Sequence, residues 1–233
     1  MITFDYHYLL NRIDLLFSLG AGHKKRKTDM KHSLISMITT TLLVLIASTP
    51  SIQAKEPSVS HLSAQWQIWA YSTAAPSFIG TRATILNQNN DVLRAGSNGW
   101  TCMPGNARPM PENGWPDAHQ AMPICADKEA LKWMQAYLTE SKPELNHDGF
   151  MWMLHGDVGE DNSTPMVMNK ADAHAGHWIE SGPHLMLMPK DPATIAGHTT
   201  NFRTGSPYLM FPNSQYAHLM IPVEGYYQYS ESP

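Results

Sequence analysis

The chain has 233 residues, with 16 Lys or Arg, 20 Asp or Glu and 12 His, for a formal charge of −4. Six of the basic and three of the acidic residues precede position 55, so residues 55–233 hold 10 and 17, a charge of −7. An acidic body of that length suits one domain around one core and carries no electrostatic footprint for nucleic acid or anionic lipid.

The N-terminal stretch has its own logic. Lys24, Lys25, Arg26, Lys27 and Lys31 form a basic cluster, and an apolar run follows from Leu34 to Ala47, broken by Ser36 and the threonines at 39–41. Pro50 then leads into small or polar residues down to Ala54. This order describes a secretory signal peptide over residues 30–54, cut between Ala54 and Lys55, with Ile52 at position −3. The apolar run is shorter than the roughly 20 residues of a membrane span, although an N-terminal anchor is the competing reading. Met30 opens a more ordinary signal than Met1, so residues 1–29 are read as an upstream extension. The expectation is a single exported domain, periplasmic or secreted, with no stable membrane span once the signal is removed.

In chain order, Ser60 is a candidate cap for a helix over 60–71, with Leu62, Trp66 and Trp69 on one face. Strands are expected at 81–86 and 92–94, and Ser97-Asn98-Gly99 is a turn signal. The stretch from Pro104 to Pro123 is rich in Pro, Gly and Asn and reads as a long irregular loop. A helix follows, with Asp127 as N-cap and Leu131, Met134 and Leu138 as its apolar stripe, ending at Ser141-Lys142-Pro143. Short strands at 149–155, 165–168, 183–188, 207–211 and 217–222 are bracketed by prolines. The sum is an α+β fold with a small antiparallel β-sheet, one or two short helices and long irregular loops.

Cys102 and Cys125 are the two cysteines, and in an exported chain an even count reads as a disulfide, here a staple across the 104–123 loop. Three strands share an alternation: Met151, Met153 and His155; His184, Met186 and Met188; His218 and Met220. Residues two apart on a strand share a face, so neighbouring strands would build a His/Met-lined patch. Thioether and imidazole are ligands for Cu(I), which makes His155, His184, Met186, His218 and Met220 candidate copper ligands. Methionine is also an adaptable core filler, and a packed Met-rich core is the competing reading. His174 and His177 form a second candidate metal pair, without a third ligand at a recognised spacing. The run from His155 to Asn162 has oxygen ligands for calcium but not the EF-hand spacing, and reads better as a solvated loop. Trp100, Trp115, Trp152 and Trp178 are either core or a ligand surface. No GxSxG elbow, phosphate-binding loop or dinucleotide fingerprint is present in the sequence.

Four segments together, Asn98–Pro104 (NGWTCMP), Met122–Asp127 (MPICAD), Gly182–Met186 (GPHLM) and Tyr216–Val223 (YAHLMIPV), carry a resemblance. Over residues 74–223 the chain resembles a group of small exported bacterial proteins of unassigned function. The resemblance implies bacterial origin and export; it implies no activity and transfers no site residue.

The reading that follows is an exported binding or structural domain without evident catalytic machinery. A periplasmic copper-binding protein is the sharper alternative. A hydrolase using His184 or His218 as acid or base, in a pocket near the Cys102–Cys125 loop, is the rival from another class.

Overall fold

Residues 54–230 are described by the computed structural model; the expected signal peptide and the expected extension before it lie outside them, apart from Ala54, which is exposed beside Lys55. Helix α1 spans Ala64–Ser72 and α2 spans Ser77–Gly80. Strands β1 (Thr84–Leu86), β2 (Val92–Arg94) and β3 (Thr101–Pro104) follow, then α3 (Ala118–Ala121), β4 (Pro123–Ala126) and α4 (Lys128–Leu138). The second half holds β5 (Gly149–Met153), β6 (Glu160–Asp161), β7 (Trp178–Ile179), β8 (His184–Met188), a 3₁₀ turn (Pro192–Ile195), β9 (Tyr208–Met210) and β10 (His218–Pro222).

Eight strands join one sheet in the order β2-β1-β3-β4-β5-β8-β10-β9, while β6 and β7 pair separately. Only the β1–β3 pair is parallel; the other neighbours are antiparallel. The α+β class therefore holds, but the sheet is large rather than small. The shortfall came from β3 and β4, which lie at the two ends of the expected 104–123 loop. Each is four residues long and meets a proline, so neither shows a readable alternation. Their register sets Cys102 directly against Cys125, and the two are disulfide-bonded. The bridge thus joins neighbouring strands at the foot of the loop. Within that loop Asp117 accepts the Gln120 amide at 2.8 Å and caps α3.

Helix α1 begins later than expected. Ser63, not Ser60, accepts the Trp66 amide as N-cap, and Leu62 is exposed. Trp66, Ala70 and Tyr71 pack with Ile85, Cys102 and Cys125 on one face of the sheet. Helix α4 is capped by Asp127 as expected, through the Ala130 amide at 2.8 Å. Its buried stripe is Ala130, Trp133 and Tyr137, one position off the expected one, and Leu138 is half exposed. The large aromatics at 133 and 137 remove more apolar area from water than Leu131 and Leu138 would, so they set the helix rotation. Gly149 allows the close approach of this helix, since a Cβ there would lie 2.5 Å from the Ala130 nitrogen. Helix α4 covers the opposite face of the sheet from α1.

The expected strand at 165–168 is a turn, with Met166 at φ 66°. It lies in a loop organised by Asp161, whose buried carboxylate accepts from the Ser163, Thr164 and His174 amides and the Ser163 hydroxyl. Within 165–168, Pro165 has no amide hydrogen and the Met166 amide donates to the Tyr137 hydroxyl at 3.0 Å, so neither supplies a donor to a β ladder. Among the described residues no helix is long and apolar enough to cross a membrane.

Candidate functional site

The methionine alternation on β5, β8 and β10 survives folding as one face of the sheet. Met151, Met186, Met220 and Tyr208 lie side by side in register across β5, β8, β10 and β9. One step along, Met153 faces His184. In the other direction His218 faces Met210, and the β8–β10 register carried one pair further places Met188 on its other side. Directly opposed side chains on a sheet lie within about 4.5–5.5 Å at Cβ, so these are neighbours rather than a scattered set. Trp152 and Leu185, between them in sequence, project to the other face.

Helix α4 does not fully fill the space above this face. A cavity of about 360 Å³ lies between the methionine rows, Trp133 and Tyr137 of α4, the 105–108 segment and the turn after β5. Ten of its lining residues are methionines, which are Met103, Met122, Met134, Met151, Met153, Met168, Met186, Met188, Met210 and Met220. The volume lies within the range of small-molecule sites, and a mostly apolar wall with few polar groups is their usual character.

Four of the polar lining residues matter chemically: His218, Arg108, Asp157 and Glu160. His218 is 3% exposed, and its Nδ1 lies 3.0 Å from the Tyr216 carbonyl. A carbonyl only accepts, so Nδ1 carries the proton and the Nε2 lone pair is free, with no partner among the described residues. Burial pushes the His218 ring down to about 4, against the opposing effect of that hydrogen bond, so it is neutral at ordinary pH. The ring stands edge-on to Trp133 and Phe211, at centroid distances of 5.0 and 5.3 Å.

Arg108 spends its guanidinium on the Gly159 and Met168 carbonyls and the Asn106 side chain. The turn that offers the Gly159 carbonyl also holds the acids. The Gly159 amide donates to Asp157 Oδ1 at 2.6 Å, with Gly159 at φ 116°. A Cβ at Gly159 would enter the Trp178 ring at 2.2 Å, so both the conformation and the packing require glycine. Burial raises the carboxyl of Asp157, the Gly159 amide and Arg108 opposing it. Burial and then the Asp157 charge push Glu160 up to about 8. Both carboxyls are therefore held toward their protonated forms.

The candidate ligands separate in space. Met186, His218 and Met220 are together at the cavity. His184 lies on the same face at the other end of β8, about 13 Å from the His218 row by strand rise. Its Nδ1 meets the Gly182 carbonyl at 2.7 Å, and its Nε2 is buried without a partner. His155 lies past the end of β5, bonded through Nε2 to the Thr73 hydroxyl at 2.7 Å and 6.0 Å from the Trp69 ring. The turn at Gly156 takes it off the methionine face. His174 is tied to Asp161 at 3.1 Å, with His177 at 5.9 Å between ring centroids. Neither His184 nor His218 pairs with a carboxylate; among the described residues the histidine–carboxylate pairs are His61–Glu56 and His174–Asp161. No cluster of three His, Cys, Asp or Glu suited to a metal occurs among the described residues.

Met188 and Met210 complete the surroundings of His218, and only the β8–β10–β9 register reveals them. Asp157 and Glu160 fall in the stretch read as a solvated or calcium-type loop, but they line the cavity instead. Comparison with protein-family models, curated proteins and solved structures finds no match to this chain.

Proposed function

We propose that the chain is an exported binding protein whose ligand occupies the methionine-lined cavity. One observation carries this reading: ten thioethers and the free Nε2 of a neutral, buried histidine line a single cavity of about 360 Å³. Unbranched thioether side chains reshape around an apolar guest at little cost, so such a wall suits a small organic molecule. Export and bacterial origin enter through the N-terminal pattern and the motif resemblance described above.

The test uses a neutral apolar fluorophore, N-phenyl-1-naphthylamine, with the exported chain. Saturable binding is expected, and Met103→Trp, which fills the cavity from its wall, should abolish it without lowering the unfolding temperature. Binding unaffected by that substitution would overturn the reading.

A second reading, Cu(I) binding, is favoured by the surroundings of His218. Its Nε2 lone pair is unspent and Met188, Met210, Met186 and Met220 are its strand neighbours, a soft ligand set in the required protonation state. The proposed ligands are thus His218, Met186 and Met220 with Met188 and Met210, without His155 or His184.

A further inference from the structure

We infer that the cavity selects an amphipathic molecule with a cationic head, an alkyl- or arylammonium, its charge against Asp157 and Glu160 and its body along the methionines. The inference rests on the cavity being the ligand site.

The argument is one of unspent valences. Asp157 is 6% exposed and half-buried Glu160 lines the same cavity, yet neither lies within ion-pair distance of a cation among the described residues. The nearest cation, Arg108, is already committed to two backbone carbonyls and Asn106. Asp157 accepts one amide hydrogen, from Gly159, and Glu160 accepts none among the described residues. His218, buried and neutral, adds a third unspent acceptor in Nε2. Among the described residues the lining thus offers an anion no uncommitted cation, whereas Glu160 and the His218 Nε2 have no donor and Asp157 has only the Gly159 amide. Buried carboxyls without a cation are held toward the protonated form, and that proton is the alternative that an ammonium replaces. Methionine sulfurs and the faces of Trp133 and Tyr137 favour the same sign of charge, since thioethers are weak acceptors and aromatic faces attract cations.

The pH dependence follows. The groups that face the pair are Arg108, Tyr137, Tyr208, Tyr226, Glu180 and, across the cavity, His218. His218 keeps one charge state between pH 6 and 8, and burial pushes the phenols of Tyr137, Tyr208 and Tyr226 above their ordinary value, so they stay neutral there. The pair itself gains negative charge over that range, so ammonium affinity should rise with pH.

Displacement of N-phenyl-1-naphthylamine by n-octylamine, n-octanol and n-octanoate at pH 8 and pH 6 tests this. Octylammonium should displace the fluorophore at about tenfold lower concentration than octanol at pH 8, with octanoate weakest, and the gap should narrow at pH 6. Glu160→Gln, isosteric and checked for an unfolding temperature no lower than the wild type's, should erase the preference for the amine and keep octanol binding. Equal displacement by amine and alcohol in the wild type, or an unchanged preference in Glu160→Gln, would overturn the head-group inference while the cavity reading stands. Fluorophore binding that ignores Met103→Trp removes the cavity reading, and this inference with it.

Discussion

Met186 on β8 and Met220 on β10 are direct cross-strand partners, and both line the cavity beside the strand pair that carries His218. Their thioethers are therefore exchangeable for apolar groups without repacking the sheet, which separates a ligand role from a core role. Met186→Leu conserves volume and should cost less than about 1.5 kcal/mol in urea unfolding. If the soft-metal reading holds, the same change should weaken Cu(I) in a competition titration by about tenfold or more, and His218→Phe should do so further. Protein that purifies without metal, together with unchanged Cu(I) affinity in both variants, would leave the methionines as wall only.

The histidines and acids act on stability with opposite signs. His184 and His218 are held down to about 4 by burial, below the usual histidine value of 6.5. Their contribution is complete above pH 6.5 and is lost as pH falls toward 4, because the unfolded chain takes up the proton first. Each should cost about 1–2 kcal/mol at pH 5, seen as a lower urea midpoint than at pH 7. Asp157 and Glu160 are raised, so their contribution is present below about pH 4 and lost as pH rises through their folded values. Glu160→Gln should flatten the alkaline limb and His184→Phe the acid limb. Glu129, lowered to about 2 by the Lys132 and Asn146 hydrogen bonds against burial, adds a further loss only below about pH 4.5.

The disulfide closes a segment with a sequence separation of 23 between paired strands. Cys102→Ala with Cys125→Ala should lower stability by about 3 kcal/mol in the chain-entropy model, measured by chemical denaturation. The β3–β4 ladder pairs four residues on each strand, Thr101–Pro104 with Pro123–Ala126, so the folded variant should keep its circular dichroism spectrum. A change in that spectrum would mean that the bridge holds β3 and β4 together rather than restricting the unfolded chain.

Asp161 organises the 162–177 loop. Burial alone would raise its carboxyl, but hydrogen bonds from Ser163 and His174 hold it well below the usual carboxylate range. Asp161→Ala leaves three amides without their acceptor and should cost about 2 kcal/mol or more. Limited proteolysis should then cut between residues 162 and 177, where the wild type resists.

The alternation of methionine, histidine and leucine on 151–153, 184–188 and 218–220 was readable because the strand period of two is set by local backbone geometry. So were the Asp127 cap, whose carboxylate bonds an amide three residues away, and the cysteine pair. What lay beyond the sequence were matters of neighbourhood. The order β5-β8-β10-β9 decided that three methionine strands share one face and that Met188 and Met210 flank His218. The Gly156 turn decided that His155 leaves that face after Met153. The rotation of α4 depended on which side chains buried the most surface against the sheet, a sum over partners far away in the chain. Asp157 and Glu160 resemble any solvated acidic loop in sequence, because the burial that makes them chemically distinct comes from Arg108, Trp178 and the sheet. Local hydrogen bonds and periodicity act within a few residues, whereas the cavity and its charge are made by long-range packing.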